Sequence, residues 1–219
     1  MMWRCPLCMN PKNQHYHCDS RRDYYQCSNC QLVFVPPEQH LSAEQEKREY
    51  DRHQNDAGDL GYRRFLNRLL TPLEACLTPG AKGLDFGAGP GPTLSVMFEE
   101  RGYPMEIYDP FYAPGRDVLR RRYDFVTATE VLEHLSSPRQ VMAQLSEMLE
   151  PGGYLGFMTK RVKNHAAFTH WHYIQDPTHV AFFSQDTFAW WASRHGFELT
   201  FPGQDTVIMQ KRADVSKKH

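Results

Sequence analysis

The chain has 219 residues, a formal net charge of −1, and 41% hydrophobic against 23% charged residues, a mixture that buries a core and excludes disorder, collagen and coiled coil. No apolar run reaches the roughly 18–20 residues of a membrane-spanning helix, and the opening Met1-Met2-Trp3-Arg4-Cys5 has no signal-peptide stretch. The balanced charge also argues against bulk attraction to nucleic acid or acidic membranes, so a soluble, cytoplasmic, globular protein is expected.

Five of the six cysteines fall before residue 31, as Cys5-x2-Cys8, Cys18 and Cys27-x2-Cys30. A two-residue spacer lets both thiolates of one knuckle face a single metal, and two knuckles close a tetrahedral Zn–S4 site. Residues 1–38 therefore read as a zinc ribbon with Cys5, Cys8, Cys27 and Cys30 as ligands of a structural Zn2+. Pro11 to His15 reads as a turn, and Tyr24-Tyr25-Gln26 and Leu32 to Val35 as short strands. So small and polar a module needs a staple, which metal binding supplies. A disulfide pair fits poorly without an export signal, and a redox dithiol would want a thioredoxin-like unit. Cys18, beside His15 and His17, reads as a spare thiol rather than a replacement ligand. Arg4, Lys12, Arg21 and Arg22 are offset by Asp19, Asp23 and Glu38 and form no basic stripe.

Pro36-Pro37 ends the ribbon, and residues 39–80 read as a helical linker or cap. Ser42 and Gln45 form a capping-box pattern opening a charged helix through about Arg52. The polar run from Asp51 to Tyr62 would suit a cover over a cleft as readily as a connection. Phe65, Leu66, Leu69, Leu70 and Leu73 recur at helical spacing, Cys76 is expected to be buried, and Pro79-Gly80 stops the helix.

From residue 81 the chain reads Ala-Lys-Gly-Leu-Asp85-Phe-Gly87-Ala-Gly89-Pro-Gly91-Pro92. This strand, glycine loop and helix start let a ligand approach the backbone with no Cβ in the way. Pro92 spoils a dinucleotide fingerprint, and no Gly-Lys-Ser/Thr follows for a Walker loop. The remaining D-x-G-x-G-x-G resembles motif I of the class I S-adenosylmethionine-dependent methyltransferases. That resemblance implies S-adenosyl-L-methionine as cofactor, with Asp85, Gly87, Gly89 and Gly91 beside its methionine part. It also implies that Asp109, ending the strand candidate Met105 to Tyr108, holds the ribose. Tyr123 to Leu135 resembles the family's fourth strand and following loop, which implies Glu130 as a further cofactor-binding residue and places His134 near the cleft. Glu150 to Thr159 resembles the Pro-Gly-Gly turn and fifth strand. Phe197–Phe201 and Thr206–Gln210 resemble the closing hairpin. The resemblance covers roughly residues 60–210 and implies an α/β Rossmann-like, seven-stranded sheet flanked by helices over 81–212. The interval from Asp109 to Asp124 leaves room only for a vestigial third strand, with Asp117 as the acidic candidate for the adenine and Tyr108 or Phe111 to stack on it.

The segment after the fifth strand, His165 to Ser184, gathers histidines, aromatics and an aspartate. Its D-P-T-H-V-x-F-F run resembles a subgroup of bacterial small-molecule methyltransferases that carry an N-terminal zinc ribbon. Ligands of such a sheet sit over the carboxyl ends of its parallel strands, so this loop should face the methyl group. A hydroxyl or carbon acceptor must lose a proton, which suits histidine. His179 is the first candidate base, with Asp176 as orienting partner; His172, with Tyr173 binding the acceptor, and His134 come next. Competing readings are an Asx turn from Asp176 to His179 and a metal site of His170, His172, Asp176 and His179. Of Trp190 and Trp191, one should be core and the other line the pocket. The function expected is methyl transfer to the oxygen or carbon of a small molecule. The alternatives are an RNA methyltransferase that uses the ribbon for substrate contact, and a non-catalytic cofactor-binding partner subunit.

Overall fold

The computed structural model describes residues 3–52 and 56–213; residues 53–55, part of the expected cover, lie outside them. In chain order the elements are β1 (Asn13–Cys18), β2 (Asp23–Cys27), β3 (Val33–Phe34), α1 (Ala43–Tyr50), α2 (Leu60–Glu74), β4 (Gly83–Phe86), α3 (Thr93–Glu99), β5 (Met105–Tyr108), β6 (Tyr123–Thr129), α4 (Pro138–Glu147), β7 (Leu149–Met158), α5 (His165–Phe168), β8 (Ala181–Phe182), α6 (Gln185–His195), β9 (Phe197–Thr200) and β10 (Thr206–Lys211). Short 3-10 turns punctuate them at Pro37–Gln39, Arg116–Arg120, Leu132–His134 and His172–Gln175.

The larger sheet runs β5-β4-β6-β7-β10-β9. Its first four strands are parallel, and β10 then pairs antiparallel with both β7 and β9. The central parallel strands are buried on both faces: all four residues of β4 are buried, as are Phe125, Val126 and Ala128 of β6, while the edge strand β5 is half-buried. Among the described residues this sheet has six strands, not seven. Beyond β5 the chain makes only an antiparallel bridge between Asp109 and Ala113 and the turn at Arg116–Arg120. Too few residues separate Asp109 from β6 for a helix and a returning strand, and Tyr123 Oη, bonded to the Val118 carbonyl at 2.8 Å, ties that turn down.

The amphipathic face of α2 buries Leu66, Leu69, Leu70 and Leu73 against β7 and β10. Pro72 lies in its last turn and cannot donate to the Arg68 carbonyl four residues back. Thr206 Oγ1 donates to that carbonyl instead, at 3.3 Å, tying α2 to the start of β10. The Ser42–Gln45 capping box opens α1 as the sequence predicts, with the Gln45 amide on Ser42 Oγ at 3.3 Å. Cys76 is exposed rather than buried, because the helix ends before it with its buried face turned away.

The N-terminal strands do not stand alone. A second sheet runs β1-β2-β3-β8, so the loop after β7 supplies its last strand. Strand β1 falls where the sequence suggested a turn, because a polar strand half open to solvent carries no alternating apolar signal. Aromatic packing of Tyr24, Phe168, Phe182 and Trp171 fills the space between ribbon and loop.

Candidate active site

At the amino end of the glycine loop, Gly87 has φ +75°, and a Cβ there would lie 2.4 Å from Val131 Cγ2. Gly89 also sits in the left-handed region, at φ 65°. Both conformations are open to glycine and costly to other residues. The Gly91 carbonyl closes the loop onto the Thr93 amide at 2.7 Å. The Asp109 carboxylate faces this loop: Oδ2 accepts from the Gly89 amide at 3.0 Å, and Oδ1 accepts from the Phe111 and Tyr112 amides at 2.8 and 3.0 Å. Since each carboxylate oxygen offers two lone pairs, Oδ2 keeps one for a ribose hydroxyl. The glycine cradle and this buried carboxylate fit a nucleoside with a polar tail.

Asp85 is fully buried, where it accepts from Thr127 Oγ1 at 2.8 Å and Ser95 Oγ at 3.3 Å. Burial pushes its carboxyl up to about 6 against that pull. It anchors β4 to α3 and β6 beneath the loop. Tyr108 packs on Phe86 and Phe111 on Tyr50; Asp117 is exposed beside Arg120. Helix α1 covers this end: Tyr50 touches both Phe111 and His134, and Tyr112 Oη donates to Asp51 at 2.7 Å.

At the carboxyl end of β6, Glu130 adopts φ 53°, strained for a residue with a side chain. Its Oε1 is buried without a hydrogen-bond partner among the described residues. Three residues on, Glu133 is fully buried and accepts from Tyr173 Oη, which lies 3.4 Å from both Glu130 Oε2 and Thr159 Oγ1. Burial pushes the Glu130 carboxyl up to about 7. Burial and then the Glu130 charge push Glu133 up to about 8. The same burial and the two carboxylates raise the Tyr173 phenol, which stays a neutral donor. Glu133 was not singled out from sequence; its spacing of three from Glu130 was the available sign.

His179 packs tilted against Tyr173, ring centroids 4.2 Å apart, and its Nδ1 donates to the Tyr173 carbonyl at 2.7 Å. That bond leaves the neutral ring's lone pair on Nε2. Burial lowers the imidazole's affinity for a second proton. Asp176 Oδ2 lies 3.7 Å from Nε2, and Asp176 Oδ1 is engaged by the Thr178 amide and hydroxyl at 2.9 and 2.6 Å. The orienting partner of His179 is therefore a backbone carbonyl, and Asp176 forms an Asx turn. His134 packs edge-on against His179 at 4.7 Å. His172 is exposed and its Nε2 accepts from Lys160 Nζ at 2.8 Å; His170 is exposed too, and the competing four-residue metal set of this loop does not assemble among the described residues. Glu133, His134 and His179 instead have ligand atoms within 4.8 Å of one another and could hold a metal ion.

Beside this cluster a cavity of about 730 Å³ opens above the ends of β7 and β10, with Arg68, Lys160, Arg161, Lys163, Trp171 and Asp205 on its walls. Trp171 packs on Tyr173 at 4.9 Å, and Lys160 Nζ lies 5.2 Å over the same ring. Trp191 is core, as one of the pair should be; Trp190 lies under Arg194 and lines no such space.

In the ribbon, the sulfurs of Cys5, Cys8, Cys27 and Cys30 all lie within 4.8 Å of one another, with Cys5–Cys30 at 3.5 Å and Cys8–Cys27 at 3.4 Å. A tetrahedral zinc with bonds of about 2.3 Å sets edges of about 3.8 Å, so the donors fit. The Asn29 amide donates to Cys27 Sγ at 3.4 Å, as expected for a thiolate. Neighbouring thiols push Cys27 well below the ordinary range, while Cys5 is pushed up to about 12. Cys18 is exposed and outside this cluster. Arg22 joins the ribbon to the loop: its guanidinium donates to the carbonyls of Ile174, Asp176, Pro177 and His179 at 2.8 to 3.0 Å.

The sequence profile of a family described as "Methyltransferase domain" matches residues 50–200. The ubiquinone biosynthesis O-methyltransferase of Shewanella pealeana is 32% identical over 91 residues, 42% of this chain and 39% of that protein. Its Shewanella halifaxensis counterpart is 34% identical over 77 residues, 35% of this chain and 33% of that protein. The chain thus spans about two fifths or less of these relatives. The 1,6-didemethyltoxoflavin-N1-methyltransferase of Burkholderia thailandensis, solved with 1,6-didemethyltoxoflavin and S-adenosylhomocysteine bound, superposes with a TM-score of 0.51 at 16% identity. That superposition covers 92% of this chain and 100% of that one and shows a shared fold. No helix among the described residues is long and apolar enough to cross a membrane. Since the profile spans the glycine loop, the acidic end of β5 and the loop after β7 on one Rossmann-like α/β sheet, the chain belongs to the methyltransferase-domain family.

Proposed function

We propose that this protein transfers a methyl group from S-adenosyl-L-methionine to an oxygen or carbon of a small-molecule acceptor. The observation that carries the reading is the Gly89 amide on the Asp109 carboxylate at 3.0 Å, joining glycine loop and acidic strand end across the tips of β4 and β5. Gly87, Gly89, Gly91 and Asp109 would hold the cofactor, with Asp85 bracing the loop from below and Glu130 at the methyl end. When bound, the cofactor supplies an activated methyl group with a neutral thioether as leaving group.

The chain's own work is alignment, exclusion of water and removal of a proton. His179 takes that proton on Nε2, its tautomer fixed by the Tyr173 carbonyl. Tyr173, neutral, gives its one proton to Glu133 and accepts from the acceptor's polar end through its Oη lone pair. His172, at the rim with Lys160, and Asp176, through its Asx turn, shape the entrance, and His134 backs the His179 ring. A small-molecule acceptor agrees with the name of the Shewanella relatives. Residues 1–38 act as a zinc ribbon, 39–80 as a cap and 81–212 as the catalytic unit.

The test pairs two variants. Asp109→Ala should lower S-adenosylhomocysteine affinity at least about tenfold by calorimetry, the loss of about 1.4 kcal/mol. His179→Ala should keep that affinity and abolish thioether release over an acceptor panel. Unchanged affinity in the first variant sinks the ribose assignment; surviving turnover in the second makes His179 structural.

A further inference from the structure

The cavity beside Tyr173 is lined by four cationic side chains, Arg68, Lys160, Arg161 and Lys163, and by a single carboxylate, Asp205. In a chain whose formal charge is −1, that concentration needs a partner. Asp205 Oδ2 pairs with Arg68 at 2.8 Å. Arg161 donates to the carbonyls of Thr206 and Gly203 at 2.8 and 2.6 Å, which fix its direction without cancelling its charge. Lys160 donates to the His172 imidazole and lies over the Tyr173 ring, and Lys163 is exposed at the mouth. Three positive charges are left facing the space without a carboxylate bonded to them.

One lining residue leads to groups of the opposite character: Trp171 packs on Tyr173, and Tyr173 in turn meets Glu130 and Glu133, which stand outside the lining. Strand order places this cavity across β6 from the glycine loop, over β7 and β10. An occupant would reach the proton-accepting cluster with one end and the cations with the other. A volume of about 730 Å³ holds one small molecule.

We propose that this cavity is the acceptor's anion-binding end: it takes a small, flat acceptor that bears a carboxylate or a phosphate at the side away from the methylated atom. The inference rests on the methyltransferase reading of the neighbouring site. Trp171 packs the acceptor's flat body, Lys160 and Lys163 meet its oxyanion, and Arg161 supplies a fixed positive field behind them.

Full-length protein saturated with S-adenosylhomocysteine is titrated by calorimetry with benzoate, phenyl phosphate and neutral benzamide. At least one anion should bind in the millimolar range, about tenfold or more tighter than benzamide, and weaken as salt rises. Which anion wins distinguishes carboxylate from phosphate. Lys160→Met and Lys163→Glu should each lower that affinity about tenfold while S-adenosylhomocysteine binding stays unchanged. Lys163 is exposed, so its variant keeps the fold. Equal binding of benzamide, insensitivity to both variants, or no heat from either anion up to about 20 mM overturns the proposal. A gel shift of total RNA at physiological salt that Lys163→Glu abolishes overturns it in favour of nucleic acid. Failure of the wild type to bind S-adenosylhomocysteine strikes the underlying methyltransferase reading instead.

Discussion

Asp85 shows how one side chain links fold to pH. Its carboxyl is raised from 3.8 to about 6 by burial, so the folded state holds the proton more tightly than the unfolded one. The stability this contributes is fully present below the unfolded value and is lost as pH rises through about 6. Asp85→Asn removes the buried charge and keeps an acceptor for Thr127. It should therefore gain on the wild type between about pH 4 and about pH 7, by an amount on the order of 3 kcal/mol. Urea unfolding at both pH values measures this, and a pH-independent difference would mean the carboxyl is not protonated in the fold. Gly87→Ala should cost about 2 kcal/mol, read from the same curves, because its Cβ meets Val131 at a left-handed φ. These residues were legible in the sequence, since glycine at a tight loop and an acid at a strand end state their chemistry in their identity. Glu133, Lys160 and Trp171 were not. Their placement comes from packing around Tyr173 beyond the end of β7, which only the tertiary arrangement sets. Nor could spacing tell that His170 and His172 face solvent while His179 turns inward.

Among the elements, the loop from His172 to β8 is the most dependent on its neighbours. It has one 3-10 turn and a two-residue strand of its own. Its carbonyls are satisfied by Arg22 from the ribbon, and Arg21 adds bonds to the Gln175 and Ile174 carbonyls at 2.8 and 3.3 Å. Arg22→Gln should speed amide hydrogen exchange across 174–181 about tenfold or more, while β4 and β6 keep their protection. Unaltered exchange in that loop would show that the pairing of β3 with β8 suffices. The long apolar strands, the capping box and α2 were readable because period and cap chemistry are local. Strand β1 was not, because an edge strand needs no apolar alternation; the missing strand was half legible, since the short interval from Asp109 to Asp124 left room only for a vestige.

At the scale of the whole molecule, the cysteine cluster, the loop after β7 and the turn after β6 lie along one path: Cys27 ends β2, β2 pairs with β3, β3 pairs with β8, and the Val180 amide donates to the Glu133 carbonyl at 2.7 Å. On the zinc-ribbon proposal, treatment with a strong chelator should lower Tm by several degrees, since a staple worth a few kcal/mol would be lost. It should also release the loop at 174–183 while S-adenosylhomocysteine affinity holds within about threefold. Metal content, melting curves and calorimetry on one preparation check all three. Intact melting behaviour after full metal loss would make the cysteine cluster dispensable to the fold.

The pairing of Val33 and Phe34 with Phe182 and Ala181 also bears on how such chains can be recombined. A chimera that exchanges the first 38 residues for a foreign ribbon would leave β8 facing an edge of the wrong register, and its acceptor loop would lose its frame though every ligand cysteine were in place. The heritable cassette is discontinuous: head and loop must travel together, with the glycine-loop half of the sheet as the interchangeable chassis.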